Sequence, residues 1–134
     1  MLSTKTKIRV RYGETDQMGF VYYGNYSLYY EVARVETIRK LGFSYKEIEA
    51  KGIHLPVVDF HISYKKPAFY DEELTIVTTV KDLPNVRFTF HYECYNEKKE
   101  LLNTGEVTLV FVDKERGKAC PAPDWFMDEM EKYF

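Results

Sequence analysis

Cysteine is scarce in this chain. Cys94 and Cys120 are the two among 134 residues, too far apart for a CxxC redox pair and too few for a disulfide framework, so both are expected to be reduced thiols, with Cys94 partly buried in a strand. Long apolar runs are missing as well. No stretch could span a bilayer, and the opening MLSTKTKIRV lacks the apolar core of a secretory signal, which makes the cytoplasm the expected compartment. Basic charge is not in excess. A net charge of -2 and a pI near 5.9 imply no basic face and exclude a general nucleic-acid binder. The three histidines, His54, His61 and His91, fall on separate strand positions and show no HExxH or Cys/His ligand spacing, so no metal site is expected. Neither a GxSxG elbow, a GxxxxGK[ST] phosphate loop nor a GxGxxG turn occurs, which removes the commonest serine-hydrolase and nucleotide-binding designs.

What the chain has in abundance is aromatic surface: twelve tyrosines and nine phenylalanines. Such residues favour strands and can line an apolar pocket. The length suits one domain, residues 1–134, with a real core. Ile8, Val10 and Tyr12 alternate with Lys7, Arg9 and Arg11 and predict a first strand. A helical pattern then runs from about Asn25 to Leu41, about 25 Å long. Its early half (Tyr26, Leu28, Tyr29, Tyr30, Val32, Ala33) is apolar nearly all round, so that half should be enclosed. Later, the polar Arg34, Glu36, Arg39 and Lys40 leave a narrower stripe of Val35, Ile38 and Leu41, and Gly42 is placed to end the helix. Ser44 with Glu47 reads as a capping box for a short helix, Tyr45–Lys51. Four strand patterns follow: His54–Lys66, Leu74–Asp82, Arg87–Asn96 and Leu101–Asp113. Their short connections predict an antiparallel meander. Trp125–Phe134 reads as a terminal helix with Asp124 as its N-cap. The class is α+β, a sheet of about five strands curled around one long helix. Long, partly apolar edges would be left open and invite a second copy, giving a homodimer or a tetramer built as a dimer of dimers.

The densest stretch is Arg9–Tyr30, which places the carboxylate of Asp16 in a glycine-punctuated loop just ahead of the long helix. A helix start offers unpaired N–H groups and the positive end of a dipole. An acid beside such donors outlines attack on a carbonyl, with the donors stabilising the oxyanion. The bland reading of Asp16 is an Asx-turn. Three features weigh against leaving it there. Asp16 comes seven residues before Tyr23, close enough for the loop to fold back on the helix start. Gly19 and Gly24 permit close backbone approach. No other acid sits beside so aromatic a wall, and neighbouring Glu14 reads as solvated. Lys65 and Lys66, ahead of Pro67, are either a point-charge contact for a phosphorylated ligand or a guard against edge-to-edge aggregation.

The run Tyr12-Gly13-Glu14-Thr15-Asp16-Gln17-Met18-Gly19-Phe20-Val21-Tyr22-Tyr23-Gly24-Asn25-Tyr26 resembles the signature of the 4-hydroxybenzoyl-CoA thioesterase family, particularly its bacterial acyl-CoA thioesterase branch. The similarity continues through Glu31-Val32-Ala33-Arg34, Tyr64-Lys65-Lys66-Pro67-Ala68, Asp71 and Asp113-Lys114, from about Lys5 to Asp124. It implies a hotdog fold and hydrolysis of acyl-CoA thioesters without a metal or other cofactor. By motif position it implies Asp16 as the catalytic carboxylate, nucleophile or general base, and the Tyr23 N–H as the donor to the thioester carbonyl. Gly19, Gly24, Asn25, Lys65 and Lys66 are the candidate substrate-binding positions. Several members of that branch carry histidine where this chain has Tyr23, so any role of that side chain does not transfer. Two rival readings stay open: a hotdog hydratase, which would need a histidine beside the acid, and a non-catalytic acyl-thioester-binding domain.

Overall fold

A computed structural model describes residues Met1–Phe134. Eight strands and three α-helices follow in chain order. The main sheet uses β1 (Leu2–Arg9), β3 (Val57–Tyr64), β4 (Glu73–Val80), β5 (Arg87–Tyr95) and β6 (Leu101–Val110), in the spatial order β1-β4-β5-β6-β3 and antiparallel throughout. A small second sheet joins β2 (Ile53–His54), β7 (Val112–Asp113) and β8 (Lys118–Ala119). Helix α1 (Tyr26–Lys40) lies against the main sheet, with α2 (Tyr45–Ala50) after it and α3 (Asp124–Met130) near the end of the chain. This is the hotdog arrangement, a five-strand sheet against one long helix.

The expected meander holds for β4, β5 and β6 alone. β3 skips its sequence neighbour β4 and pairs with β6, with Phe60 opposite Val107 and Tyr64 opposite Asn103. The break lies at Leu55-Pro56, where the proline supplies no ladder N–H and the single expected strand splits into β2 and β3. The first strand also sits earlier than its pattern suggested. Leu2 opens it, and Tyr12 already belongs to a 3-10 turn, Tyr12–Glu14. At the other end, Asp124 lies inside α3 and Pro123 takes the cap position. The turn Glu131–Tyr133 then continues as 3-10 helix.

Alternation reads out cleanly where strands are central. Leu74, Ile76, Thr78 and Val80 are buried, as are Phe88, Phe90, Tyr92 and Cys94 on the neighbouring strand. Burial pushes the Cys94 thiol up to about 12. Gly105 of β6 is required by close approach, since a Cβ there would lie 2.5 Å from the Tyr30 ring. Tyr30 in turn stacks on Tyr92 with ring centroids 4.3 Å apart. Helix α1 ends in a Schellman-type turn. Gly42 adopts φ +102, its N–H donates to the Arg39 carbonyl, and the Phe43 N–H donates to that of Ile38. Ser44 caps α2 by accepting the Glu47 N–H at 3.1 Å.

Helix α1 is not enclosed all round in this chain. Tyr26, Tyr29, Tyr30, Ala33, Thr37 and Ile38 face the sheet, whereas Leu28 and Val32 are 53% and 46% exposed. Val57, Val58, Phe60 and Tyr64 of edge strand β3 are exposed too. The physical reason is position: β3 is the outermost strand, and nothing in the chain lies beyond it.

Candidate active site

The loop between β1 and α1 is shaped by its own hydrogen bonds. Thr15 and Val21 form an isolated antiparallel bridge. Inside it the Asp16 N–H donates to the Phe20 carbonyl at 2.8 Å, and the Gly19 N–H to the Asp16 carbonyl at 3.0 Å. Gly19 makes the turn possible with φ +84, where a side chain would be strained. Asp16 Oδ1 accepts the N–H groups of Met18 at 2.9 Å and Phe20 at 3.3 Å. The Asx-turn reading is therefore realised, yet it uses one oxygen. Oδ2 is left without a hydrogen bond.

Glu14, two residues earlier, is the opposite case and corrects its reading as a solvated acid. Its side chain is 12% exposed. Oε1 accepts from the Arg11 N–H at 2.8 Å and from the Tyr29 hydroxyl at 2.9 Å, and the Arg11 guanidinium donates to Oε2 at 2.9 Å. Burial alone would raise its pKa; the Arg11 and Tyr29 hydrogen bonds outweigh that and hold it below the usual carboxylate range. The Glu14 carbonyl accepts from the Tyr22 N–H at 2.9 Å and the Asn25 side-chain amide at 2.8 Å. Those two bonds tie the Asp16 loop to the helix start.

The helix start is a 3-10 turn, Tyr23–Asn25, running straight into α1. Asn25 donates its N–H to the Tyr22 carbonyl and Tyr26 donates to that of Tyr23, while the N–H groups of Tyr23 and Gly24 find no acceptor. Two adjacent free donors thus stand at the positive end of a 15-residue helix.

Asp16 and Tyr23 line one cavity of about 310 Å³, together with Met18, Phe20, Val21 and Tyr26. Tyr64, Lys65, Lys66 and Pro67, at the end of β3, close its other side. The Val21 N–H donates to the Ala68 carbonyl at 2.9 Å, and the Tyr64 hydroxyl donates to the Tyr23 carbonyl at 3.3 Å, so the two walls are tied together. The structure thus brings together Asp16, Tyr23, Lys65 and Lys66. It does not bring Gly19, Gly24 or Asn25 to the cavity. Gly19 shapes the turn, and Asn25 is committed to Glu14. The room left by Gly24 is taken by the Tyr22 ring, 2.9 Å from where a Cβ would sit. Of the lysines, Lys66 is engaged with Glu100 at 2.6 Å, whereas Lys65 forms no ion pair. None of the three histidines lines the cavity. His61 and His91 flank Glu106 on adjacent strands. Sequence reasoning missed Tyr64 as a wall residue, because no spacing rule links the end of an edge strand to a helix start 41 residues away.

Comparison with known proteins gives the family and agrees with the fold. Residues 10–130 match the family described as the thioesterase-like superfamily. YneP of Bacillus subtilis (strain 168), provisionally named an acyl-CoA thioesterase, is 42% identical over 126 residues, 91% of each chain. The acyl-CoA thioester hydrolase YbgC of Escherichia coli O157:H7 is 31% identical over 125 residues, 93% of each chain. Among solved structures, a DHNA-CoA thioesterase from Staphylococcus aureus superposes with a TM-score of 0.91 at 41% identity, covering 99% of this chain and 89% of that one.

Proposed function

The chain belongs to the thioesterase-like superfamily and is a thioester hydrolase; from that premise we propose that it hydrolyses acyl-CoA with Asp16 as nucleophile or general base. The observation that carries the proposal is a carboxylate with one uncommitted oxygen on the same cavity as Tyr23, whose N–H, with that of Gly24, is free. Those donors receive the thioester oxygen and stabilise the negative charge that develops on it. The Asp16 carboxylate either attacks the carbonyl carbon, forming a mixed anhydride that water then hydrolyses to the free acid and regenerated Asp16, or takes the proton of a water that attacks that carbon. In both routes the C–S bond breaks and CoA leaves as the thiolate. Oδ1 keeps its two backbone bonds throughout, so the carboxylate is held in one orientation without blocking Oδ2.

The cavity is lined mainly by apolar residues, suited to the acyl group near the reacting carbon. Lys65, free of ion pairs at its edge, is the point charge for the CoA phosphates. The hydratase alternative needs a histidine beside the acid, and no histidine of this chain lines the cavity.

The working form is a homo-oligomer, a dimer or a dimer of dimers. Leu28 and Val32 on α1 and Val57, Val58 and Phe60 on β3 expose apolar side chains on the α1–β3 face, next to an open sheet edge. A second copy would cover that face. Two measurements test the reading. Release of free CoA thiol from a panel of short, long and aromatic acyl-CoAs, DHNA-CoA among them, is expected for at least one class; no release from any would end it. Sedimentation in dilute solution is expected to show at least a dimer, and an active species of 15.9 kDa would refute the assembly.

A further inference from the structure

Arg34 is the least expected side chain in the core. It is 5% exposed, and its guanidinium is always charged. A buried charge is costly unless paired. Yet its partners are two phenols: Nε donates to the Tyr45 hydroxyl at 2.9 Å, and Nη1 to the Tyr92 hydroxyl at 3.4 Å. Burial raises the pKa of both phenols, so neither supplies a negative charge. No carboxylate pairs with Arg34. Nη2 makes no hydrogen bond, and it is not among the fully enclosed unsatisfied atoms, which are Thr78 Oγ1 and Asn103 Nδ2. Its donors therefore keep an opening.

That opening is a cleft of about 260 Å³ bounded by Leu28, Tyr30, Val57, Phe60 and Val107, with Glu31 at its exposed rim. The cleft and the Asp16 cavity lie in one seam, between α1 and β3. Tyr26 meets Tyr64 at the cavity end, with ring centroids 5.7 Å apart. One turn on, Tyr30 meets Phe60 at 6.1 Å. Arg34 follows one turn further. From the free Gly24 N–H to Arg34 the chain advances ten residues, about 15 Å of helical rise, and a helical side chain leans back toward the N-terminus, which shortens the gap. An extended twelve-carbon acyl group reaches about 14 Å.

We propose that the Arg34 guanidinium is a specificity-determining contact, receiving an oxygen acceptor at the distal end of the acyl group while the thioester sits at Asp16 and the start of α1. The assignment rests on the acyl-CoA reading above and deepens it. The Tyr26–Tyr64 and Tyr30–Phe60 contacts bridge the seam between the two cavities and leave Tyr64 and Phe60 49% and 38% exposed above them. A free donor stands at the far end, and the reacting carbonyl is at the near end. An unsubstituted alkyl chain would leave those donors unpaired, whereas a terminal carboxylate or hydroxyl satisfies them.

Three twelve-carbon substrates test this: dodecanoyl-CoA, 12-hydroxydodecanoyl-CoA and dodecanedioyl-CoA, whose far end is methyl, hydroxyl and carboxylate. In the wild type, at least one oxygenated substrate is expected to exceed dodecanoyl-CoA about tenfold or more in kcat/KM, and the arm that does so identifies the acceptor. In Arg34→Met that ratio should collapse toward one, and Arg34→Lys should recover part of it. A purely structural arginine would lower all three substrates together and leave the ratio intact, which overturns the proposal. Equal wild-type kcat/KM for the three overturns it too, without any variant having to fold. Hydrolysis of none of the three, nor of any other acyl-CoA, would instead remove the thioesterase reading and this assignment with it.

Discussion

Phenylalanine and tyrosine divide this molecule between them. At the pole near α3, Phe43, Phe88, Phe111 and Phe126 pack ring on ring, with Phe88 and Phe111 centroids 5.8 Å apart and Phe111 and Phe126 5.3 Å apart. Phe88, Phe111 and Phe126 are fully buried, so the chain completes this part of its core alone. Along α1 and its seam with β3 most rings are tyrosines, with Phe60 of β3 among them. Tyr29 and Tyr30 are buried but donate their hydroxyls to Glu14 and Asn103, while Tyr22, Tyr23 and Tyr64 remain exposed. A phenol can sit against apolar surface and still meet water or a polar ligand. The phenylalanine pole is finished structure; the tyrosine seam is surface left open for something to enter.

Breaking each side of that comparison should produce different losses. Phe88→Ala removes a fully buried ring from the closed pole and is expected to cost about 3–5 kcal/mol of stability, read from the urea midpoint at unchanged m. The folded fraction should keep its acyl-CoA KM, because Phe88 lines neither compartment of the seam. Asp16→Asn is the converse. Its retained amide oxygen can still accept the Met18 and Phe20 N–H groups, so the melting temperature should hardly move. Turnover should fall by about 100-fold or more, since an amide is neither base nor nucleophile. Near wild-type turnover in a folded Asp16→Asn protein would end the catalytic assignment.

Legibility in the sequence followed the same divide. Central strands could be read because alternation reports burial on one face, and Phe88, Phe90, Tyr92 and Cys94 are buried as their pattern predicts. The loop carboxylate could be read because an acid, two glycines and a helix start lie within ten residues. Pairing of β3 with β6 could not, because local patterns carry no information about which strand lies beside which. Arg34 could not, because a charged residue on a helix counts as polar surface until a tyrosine 11 positions on and another 58 positions on are seen to hold it. Glu14 failed for a related reason: strand parity says nothing once the strand has ended and a 3-10 turn has begun.

Acid should weaken the tie between the loop and the helix before it harms the closed pole. The folded-state pKa of Glu14 lies below its ordinary value of 4.5. A carboxylate with a depressed folded pKa stabilises the fold fully above its unfolded value, and that contribution is lost as pH falls through the folded value. Melting temperature should therefore decline as pH falls below the ordinary value of 4.5, and Glu14→Gln should flatten the decline. An unchanged slope in that variant would mean the Arg11-Glu14-Tyr29 contacts do not couple to folding.

The smallest effect is expected from Tyr23→Phe, and it decides what tyrosine contributes at the mouth of the seam. The Tyr23 ring is 64% exposed and packs beside that of Tyr22, with centroids 4.7 Å apart. Its side chain interacts with that of Tyr22, whose pKa is raised by hydrogen bonding to it, whereas its main-chain N–H is one of the two free donors at the helix start. If the oxyanion donor is that N–H, phenylalanine keeps both the donor and the ring packing. Turnover should then stay within about threefold of wild type, under ~1 kcal/mol of barrier. A phenol acting as the donor would cost on the order of 100-fold when removed. A large loss of kcat in a folded Tyr23→Phe enzyme would transfer the oxyanion role from the backbone to the side chain. It would also mean that tyrosine serves in this seam as a chemical group as well as a wall.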